Sequence, residues 1–413
     1  MNKKINPSQV QSDFPVFKNN PELAYLDSSA TQLKPQVVID KLVEYYSEYP
    51  SNIHRGIYKI AERASEEYEK SRDVVAEFIG ASRDEVIFTR GTTESLNLLS
   101  YSLGQELKPN DEVVTTVMEH HANFVPWQHL CKQRQAVLKI IDITDGGDLD
   151  VGAQFEKLDH YISAKTKIVT LTYVSNVLGI INPVRELISA IRQINKDIII
   201  IIDAAQAIAH IRLNVMALGA DFVVFSGHKM VGPTGVGVLW GKMERLQTLP
   251  PFHYGGDMIE LVSIEETTFK QPPYKFEAGT PPIASVIAFA SSIAYLKQYN
   301  FDDITTFEME LFDYTIKLLE SELKDFVTIL GRHSTSAKIG VVSFYLNGVH
   351  PHDVAQIASD HNVGIRAGHH CAMPLHTRLC APASARASFY IYNTKQDVDK
   401  LLESLLEAKS LFS

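Results

Sequence analysis

Five consecutive isoleucines, Ile198 to Ile202, closing on Asp203, constrain this chain more than any other stretch. An unbroken apolar, β-branched run of strand length belongs to a strand covered on both faces, because a half-exposed strand would alternate. A second run, Asp221-Phe-Val-Val-Phe225, reads the same way. Between them, Ala204 to Ala220 leaves room for a helix and a turn. The segment therefore predicts a βαβ unit with parallel strands and a right-handed crossover. Asp203 and the lysine of Ser226-Gly-His-Lys229 then stand at the carboxyl ends of neighbouring strands. That edge is where open α/β sheets bind ligands.

An aspartate and a lysine converging there suit pyridoxal phosphate (PLP). The lysine amine condenses with the cofactor's aldehyde, and the carboxylate keeps the pyridine nitrogen protonated so that the ring takes up electrons. A strand-end Asp capping a helix beside a solvated Lys is the plainer alternative. It accounts for neither Ser226 and His228 nor a further stretch, Arg90-Gly-Thr-Thr-Glu-Ser95. This follows the strand-like Glu85-Val-Ile-Phe-Thr89 and opens a helical pattern through Leu96, Leu98 and Leu99. Thr92 and Thr93 thus put hydroxyls and free N–H groups at a positive helix terminus, which favours a phosphate. Ser and Thr also cap ordinary helices, so this stretch is weak taken alone. There is no Walker A sequence and no GxGxxG, and Gly232-Pro-Thr-Gly-Val-Gly237 reads as a turn into the strand Val238-Leu-Trp240.

Near the C-terminus, Arg366-Ala-Gly-His-His-Cys-Ala-Met373 sets Cys371 in a polar, glycine-hinged loop beside an arginine. A thiol reacts as thiolate, which nearby cations favour, and the planar fork of Arg366 suits a substrate carboxylate. A nucleophilic cysteine acting on a small anionic substrate is one reading, and an idle surface thiol is the other. These eight residues alone leave both open. Zinc held by the adjacent His369, His370 and Cys371 is disfavoured, because the three cannot easily face one ion and no CxxC or HxxxH pair supports them. No metal is expected.

The stretches above belong to an ordered series. It runs through Ala24-Tyr-Leu-Asp27, Asn52-Ile-His-Arg-Gly56, Arg90-Gly-Thr-Thr-Glu94, Met118-Glu-His-His-Ala-Asn123 and Val174-Ser-Asn-Val-Leu-Gly179. It continues with Asp203-Ala-Ala-Gln206, Ser226-Gly-His-Lys229, Phe276-Glu-Ala-Gly-Thr280, the Cys371 loop, and Arg386-Ala-Ser388 before Tyr392-Asn-Thr394. In this series the chain resembles the class V PLP enzymes, and most closely the SufS/CsdA group of cysteine desulfurases with a short catalytic-cysteine loop. Ala204 stands where a glycine is frequent and Ser29 where an alanine is, and neither change removes a chemical group.

The resemblance implies an α/β fold, the type I (aspartate aminotransferase) fold of PLP-dependent transferases. Residues 25–290 would form a large PLP-binding domain with a mainly parallel, doubly wound sheet. Residues 291–413, joined by the segment 1–24, would form a smaller α+β domain carrying the cysteine loop. Lys229, Cys371 and His120 become the catalytic set. Lys229 would hold the cofactor and move the proton at the substrate Cα, with His120 stacked on the ring. Asp203 would pair with the pyridine nitrogen and Gln206 with the ring hydroxyl. Thr93, Ser226 and His228 would meet the phosphate, with Thr92 nearby. Thr280 would reach the phosphate of a second subunit, which implies a homodimer with composite sites.

Arg386 would take the substrate carboxylate, assisted by Asn176, with Arg366 close by and His54 and Arg55 at the entrance. The implied reaction takes sulfur from L-cysteine, releases L-alanine and leaves a persulfide on Cys371. A SufE-like or SufU-like acceptor would carry it toward iron–sulfur cluster assembly. His352 matches a histidine that SufU-dependent enzymes present to the partner's zinc, although a histidine there also suits helix capping. His121 fits a packed core histidine, and Cys131 and Cys380 are expected to be inert. Two rivals stay open. One is another PLP enzyme on this fold, such as a selenocysteine lyase acting on L-selenocysteine, a kynureninase-like hydrolase or an aminotransferase. The other, a cofactor-free hydrolase pairing Cys371 with His369 or His370, leaves Asp203 and Lys229 unexplained.

Composition agrees with an enzyme of the cytoplasm. A length of 413 residues allows two to three domains, and the longest apolar runs are strand-sized, so no membrane span is expected. The opening Met-Asn-Lys-Lys-Ile-Asn lacks an apolar signal stretch, and three cysteines fit a reducing compartment. A net charge of −10 argues against a nucleic-acid partner. Residues 1–24 are expected to wrap onto the C-terminal part, and Val38, Leu42, Tyr45 and Tyr46 predict a helix over 37–49. Strands and helices alternate over 85–245, and Tyr254 to Lys270 reads as a protruding hairpin or extended loop. A long helical stretch over 284–323 then leads to the strand Ile339–Tyr345 and a helix from about Asp353.

Overall fold

The isoleucine run lies in the interior of a seven-stranded sheet. In the computed structural model, residues 3–412 are described; residues 1 and 2 of the expected N-terminal wrap, and residue 413, lie outside them. In chain order the strands are β1 (Ala24–Tyr25), β2 (Val86–Thr89), β3 (Glu112–Thr116), β4 (Val137–Ile141), β5 (Thr166–Thr172), β6 (Ile199–Asp203), β7 (Phe222–Ser226) and β8 (Gly237–Gly241). Then come β9 (Ile259–Val262), β10 (Thr267–Phe269), β11 (Val327–Ile329), β12 (Val341–Leu346), β13 (Val363–Gly364), β14 (Arg366–Gly368) and β15 (Ser384–Ser388).

The large sheet has the order β2-β8-β7-β6-β5-β3-β4. Its neighbours are parallel except at β8, which runs antiparallel to both β2 and β7. Ile200, Ile201 and Ile202 are wholly buried, as both-face coverage requires. Each such side chain contributes roughly 1.5–3 kcal/mol relative to an exposed one. The amphipathic helix Val184–Ile194 makes the crossover from β5 to β6 and buries Leu187, Ile188 and Ile191.

Between β6 and β7 the expected helix shrinks to the four residues Val215–Leu218. The chain after Asp203 instead turns tightly inside the protein, with Ala204, Ala207, Ile208 and Ala209 all buried. Likewise the expected helical stretch over 284–323 is two helices, Ile283–Leu296 and Phe301–Leu318, followed by one wider turn, Leu319–Leu323. Asn300 starts the second helix, its side chain accepting from the Asp302 N–H at 3.2 Å. The helix read over 37–49 is Gln36–Glu48, with Val38 and Tyr45 buried. It packs with Lys59–Ile79 against Ile283–Leu296, which is buried over most of its surface.

A four-stranded antiparallel sheet, β11-β12-β15-β14, builds the second layer. Val342, Phe344, Ala385 and Ala387 from it pack with Leu311 and Phe312, and with Val398, Leu401 and Leu405 of the helix Lys395–Phe412. The N-terminal segment binds to this part through β1, which pairs in parallel with β13. It also sets Phe14 edge-on to Tyr295 and Tyr392. Tyr254 to Lys270 does contain a hairpin, β9 with β10, and Ile264 at its tip is fully exposed.

One buried ion pair anchors the sheet edge that carries the phosphate-type loop. Arg72, with no exposed surface, donates from Nη1 and Nη2 to Glu277 at 2.7 and 2.8 Å. Glu277 also accepts from the Phe88 N–H of β2 at 2.7 Å and from the Tyr68 hydroxyl at 3.2 Å. Glu277→Ala strips the buried Arg72 of its two-pronged partner and leaves it Glu69, 3.2 Å from Nε, and the Val86 carbonyl; it is expected to lower stability by about 3 kcal/mol in urea unfolding. Replacing both partners by apolar residues of similar volume is expected to cost far less, because no charge is then stranded.

Candidate active site

The carboxyl ends of β6 and β7 put Asp203 and Lys229 on one cavity of about 210 Å³. Asp203 is buried, and its Oδ1 accepts a single bond, from the Ala205 N–H at 2.9 Å. Burial pushes its pKa up, opposed by that N–H and by Lys229. Lys229 follows β7 in a short turn, Gly227–Lys229. Desolvation pushes its amine down to about 8; Asp203 opposes the shift, and Arg386 and Arg366 add to it.

The phosphate-type loop joins the same cavity. Ser226 Oγ accepts from the Thr92 N–H at 2.8 Å and lies 2.7 Å from Thr92 Oγ1, which ties the helix Thr92–Gly104 to the end of β7. Thr93 and His228 complete this side. Gly91 and Gly237 meet backbone to backbone: a Cβ at Gly237 would come within 2.4 Å of the Gly91 Cα. His120 lines the cavity with its Nδ1 accepting from the Ala122 N–H at 3.0 Å. Burial, and then Lys229, holds its pKa down to about 3, so the ring is neutral. His228 is likewise held down to about 4 by burial and then Lys229. Gln206 lines the cavity and donates from Nε2 to the Ser29 carbonyl at 2.8 Å.

The second layer supplies the cations and the thiol. Arg366 and Arg386 are directly opposed on β14 and β15, so both side chains stand on one face of the small sheet. Arg386 is buried, donating from Nη2 to Asp27 at 3.0 Å and from Nη1 to the Asn176 carbonyl at 2.9 Å, while its Nε has no partner among the described residues. Asn176 Nδ2 donates to the His370 carbonyl at 2.7 Å. Cys371 is exposed and lines the cavity. His370 and Cys371 both take the left-handed conformation, φ 49° and 58°, which non-glycine residues avoid.

Three of the expected site residues stand elsewhere. Thr280 lines a separate surface cavity with Arg90 and His253. His54 pairs with Glu69 at 2.9 Å, and Arg55 with Asp257 at 2.8 Å. His121, read from sequence as a core residue, is half-buried and holds the cysteine loop instead. Its backbone N–H donates to the Cys371 carbonyl at 2.7 Å, and its Nε2 accepts from the Met373 N–H at 3.1 Å. Glu119 was missed altogether. It is fully buried, and burial raises its pKa to about 8 although Asn123, Thr116 and the Thr172 N–H all donate to it. Its position in Met118-Glu-His-His-Ala-Asn123 was the available signal.

The residues present fit PLP. A buried carboxylate with one amide partner calls for a further donor, such as a protonated ring nitrogen. The Thr92, Thr93, Ser226 and His228 cluster at a helix N-terminus suits a phosphate.

The aminotransferase class-V family pattern matches residues 24–401, and the chain belongs to that family. A probable cysteine desulfurase of Streptomyces coelicolor is 43% identical, over 99% of this chain and 98% of its own length. The apo structure of a cysteine desulfurase from Thermococcus onnurineus superposes with a TM-score of 0.92 at 39% identity, covering 99% of each chain. The Escherichia coli cysteine desulfurase CsdA does so with a TM-score of 0.90 at 33% identity, covering both chains completely. Within the class-V family, the chain therefore stands with the cysteine desulfurases, and its fold is that of the PLP-dependent transferases.

A testable consequence concerns Lys229. At pH 8 about half of it is uncharged, against roughly 0.3% of an ordinary lysine. In cofactor-stripped protein an acylating reagent is expected to modify Lys229 ahead of exposed lysines, its rate rising through a midpoint near pH 8. Peptide mapping reads this, and a Lys229 midpoint near that of ordinary lysines would refute it.

Proposed function

We propose that this protein is a PLP-dependent cysteine desulfurase that takes sulfur from L-cysteine, releases L-alanine and carries the sulfur as a persulfide on Cys371. The observation that carries the reading is the meeting of Lys229, Asp203, Arg386 and Cys371 on one small cavity. Bound PLP supplies an electron sink that stabilises negative charge at the substrate Cα. Asp203 would hold its ring nitrogen, Gln206 its hydroxyl, and Thr92, Thr93, Ser226 and His228 its phosphate, with His120 over the ring face. Lys229 would anchor the cofactor through its amine, and that amine would take the proton from the substrate Cα. A lysine with its pKa near 8 is suited to that exchange.

Arg386 fixes the substrate carboxylate. Its guanidinium is already oriented by Asp27 and the Asn176 carbonyl, so little freedom is lost on binding. The Cys371 thiolate then attacks the substrate sulfur: an S–S bond forms and the Cβ–S bond breaks with its electron pair left on the carbon fragment. Two protons then complete alanine, the one given up by the Cys371 thiol going to Cβ and the one held by Lys229 returning to Cα. Cys131 is a poor alternative, being buried with its thiol pushed up to about 11.

The working unit of this proposal is a homodimer. Thr280, His54 and Arg55 stand away from the chain's own cavity, with the exposed apolar Ile57, Tyr58 and Ile60 close to the latter two in sequence, which supports a partner subunit there. Among the described residues no helix is long and apolar enough to cross a membrane. We assign the enzyme to iron–sulfur cluster assembly in the cytoplasm, a reducing compartment that suits a chain with three free cysteines. Cys371→Ser is expected to retain PLP and its spectral response to L-cysteine, yet to lose labelled persulfide and to release alanine at least about 10²-fold more slowly. Near-normal alanine release would move the protein to the lyase class.

The acceptor belongs to the same proposal. The cap of the helix Pro351–Asp360 is His350, whose Nδ1 accepts from the His352 N–H at 3.2 Å, and this leaves the His352 imidazole exposed. An exposed imidazole here suits a zinc-bearing SufU-like acceptor, since it can replace a thiolate on the metal. His352→Ala is expected to abolish stimulation by a SufU-like acceptor while sparing the unstimulated rate. Stimulation by a SufE-like acceptor alone, indifferent to His352, would overturn this assignment.

A further inference from the structure

Between β3 and the helix Val125–Arg134 the chain makes a short turn, Glu119 to Asn123, that faces two ways. His120 and Ala122 line the cavity. His121 reaches the cysteine loop, its N–H on the Cys371 carbonyl at 2.7 Å and its Nε2 accepting from the Met373 N–H at 3.1 Å. The two ends of the turn are joined by their own side chains. Glu119 Oε2 accepts from Asn123 Nδ2 at 2.6 Å, and Glu119 Oε1 accepts from the Thr172 N–H of β5 at 2.9 Å and from Thr116 Oγ1 at 2.7 Å. Glu119 and Asn123 are both wholly buried. Strand β3 pairs with β5 as far as Val114 and Val169, so the carboxyl takes an N–H that the sheet leaves over at the strand end. On its other side Thr172 pairs with Asp203.

Donor and acceptor roles in this contact are fixed. Trp127 Nε1–H can only donate, and it lies 3.1 Å from Asn123 Oδ1, which also accepts from Thr170 Oγ1 at 2.6 Å. The amide oxygen of Asn123 is therefore turned to Trp127, and its N–H groups to Glu119. A backbone N–H likewise can only donate, so both carboxyl oxygens of Glu119 face obligate donors. A proton on the carboxyl changes neither slot, because Thr116 Oγ1, a hydroxyl, can accept it from Oε1.

We infer that Glu119 is a positioning residue, which clamps the turn 119–123 so that one buried carboxyl group sets His120 and the Cys371 loop relative to each other. Inside the clamp the Ala122 N–H donates to His120 Nδ1 at 3.0 Å, and the Asn123 N–H donates to the His120 carbonyl at 2.8 Å. The His120 ring thus takes its direction from backbone that Glu119 and Asn123 tie down. His121 is the next residue, so the same tie fixes the hydrogen bonds that reach Cys371 and Met373. Glu119 does not itself line the cavity; it acts through these two histidines. Arg386 is oriented by Asp27 and Asn176 and stands outside the clamp, so capture of the substrate carboxylate does not depend on it.

The test is a swap, read by amide hydrogen exchange on the PLP-loaded enzyme with no cysteine added. Glu119→Gln sets an amide N–H against either Asn123 Nδ2 or the Thr172 N–H, whichever way it turns, and Asn123→Asp alone puts two carboxyl groups face to face. The double variant Glu119→Gln/Asn123→Asp restores the pair with its direction reversed: the new amide donates, and the new carboxylate keeps an oxygen for Trp127 and Thr170. Each single variant is expected to speed exchange of the amides of His121 to Asn123 and of Met373 at least about tenfold, the effect of one mismatched buried polar group. The double variant is expected to return them to within about threefold of wild type. Alanine formation from L-cysteine should follow the same order in kcat, with KM within about twofold of wild type. If a single variant does not fold, Thr116→Val is the milder probe, removing one donor to Glu119, and is expected to speed the same amides about threefold.

Wild-type exchange in Glu119→Gln, or in Thr116→Val where that is the probe, overturns the clamp. So does a double variant that stays as loose as the singles or does not fold. Faster exchange that spreads equally to Ile200, Ile201 and Ile202 of β6 also overturns it, because the carboxyl then serves the fold alone. Loosened amides with an unchanged kcat, or a loss carried by KM, overturn the positioning role. The clamp's part in turnover rests on the reading of His120 and Cys371 as members of a desulfurase site, but exchange needs no turnover. Unchanged exchange in an enzyme that makes alanine from L-cysteine refutes the clamp alone. Loosening reversed by the swap, in a protein whose wild type makes no alanine, refutes the desulfurase reading alone.

Discussion

Strands β5, β6 and β7 are covered on both faces, so the carboxylates they bear are displaced to the strand ends, and the two edges of the sheet treat them oppositely. Asp221, just before β7, accepts from Arg192, Lys242 and Arg245 and from the Ile200 N–H, and its pKa stays low. Every lone pair there has a use in the fold. Asp203, at the other end of the neighbouring strand, has one amide and a distant lysine. A buried carboxylate so poorly matched is costly by itself, and its cost is relieved by a cationic ligand. One edge of the sheet is closed by its own charges, and the other is left for chemistry.

Desolvation then sets the protonation states at that edge. It lowers Lys229, His120 and His228 together, so the amine is accessible in its free form and the imidazoles are neutral. The positive charge that persists belongs to Arg366 and Arg386, which burial cannot deprotonate at neutral pH. A small anion entering the cavity therefore meets fixed guanidinium groups and reactive groups that carry little charge of their own. This separation between binding charge and reacting atoms comes from burial depth, and no single residue type provides it.

Arg386 also explains why the two layers act as one site. It sits on β15 of the small sheet, yet its fork is engaged by Asp27 from the N-terminal segment and by the carbonyl of Asn176 from the large layer. Asn176 in turn holds His370, and His121 holds Cys371. The strained backbone of His370 and Cys371 is thus fixed by contacts from outside its own loop, which is how sparsely populated conformations persist in folded proteins.

The large sheet was legible in the chain because both-face burial leaves a local mark: five isoleucines and Phe222–Phe225 can satisfy few other environments. The strand-end positions of Asp203 and Lys229 follow from those runs, as does the helix opening at Thr92. The crossover between β6 and β7 was misread, since a buried turn such as Ala204–Ala209 has the apolar composition of a helix. The break at 297–300 carried a local signal in Asn300, but the flanking periodicity on both sides masked it. His121 and Glu119 were misjudged or missed because adjacent polar residues in one motif give no hint of which faces the core. By itself, then, the sequence determined the sheet, the strand-end lysine and aspartate, and the cysteine loop beside an arginine, all of which depend on neighbours a few residues away. Only the tertiary structure decided which histidines hold the Cys371 loop, that Ser384 links His370 to His376, and that His54 and Arg55 lie outside the chain's own cavity. Those depend on contacts between residues far apart in the chain, whose direction no local pattern encodes.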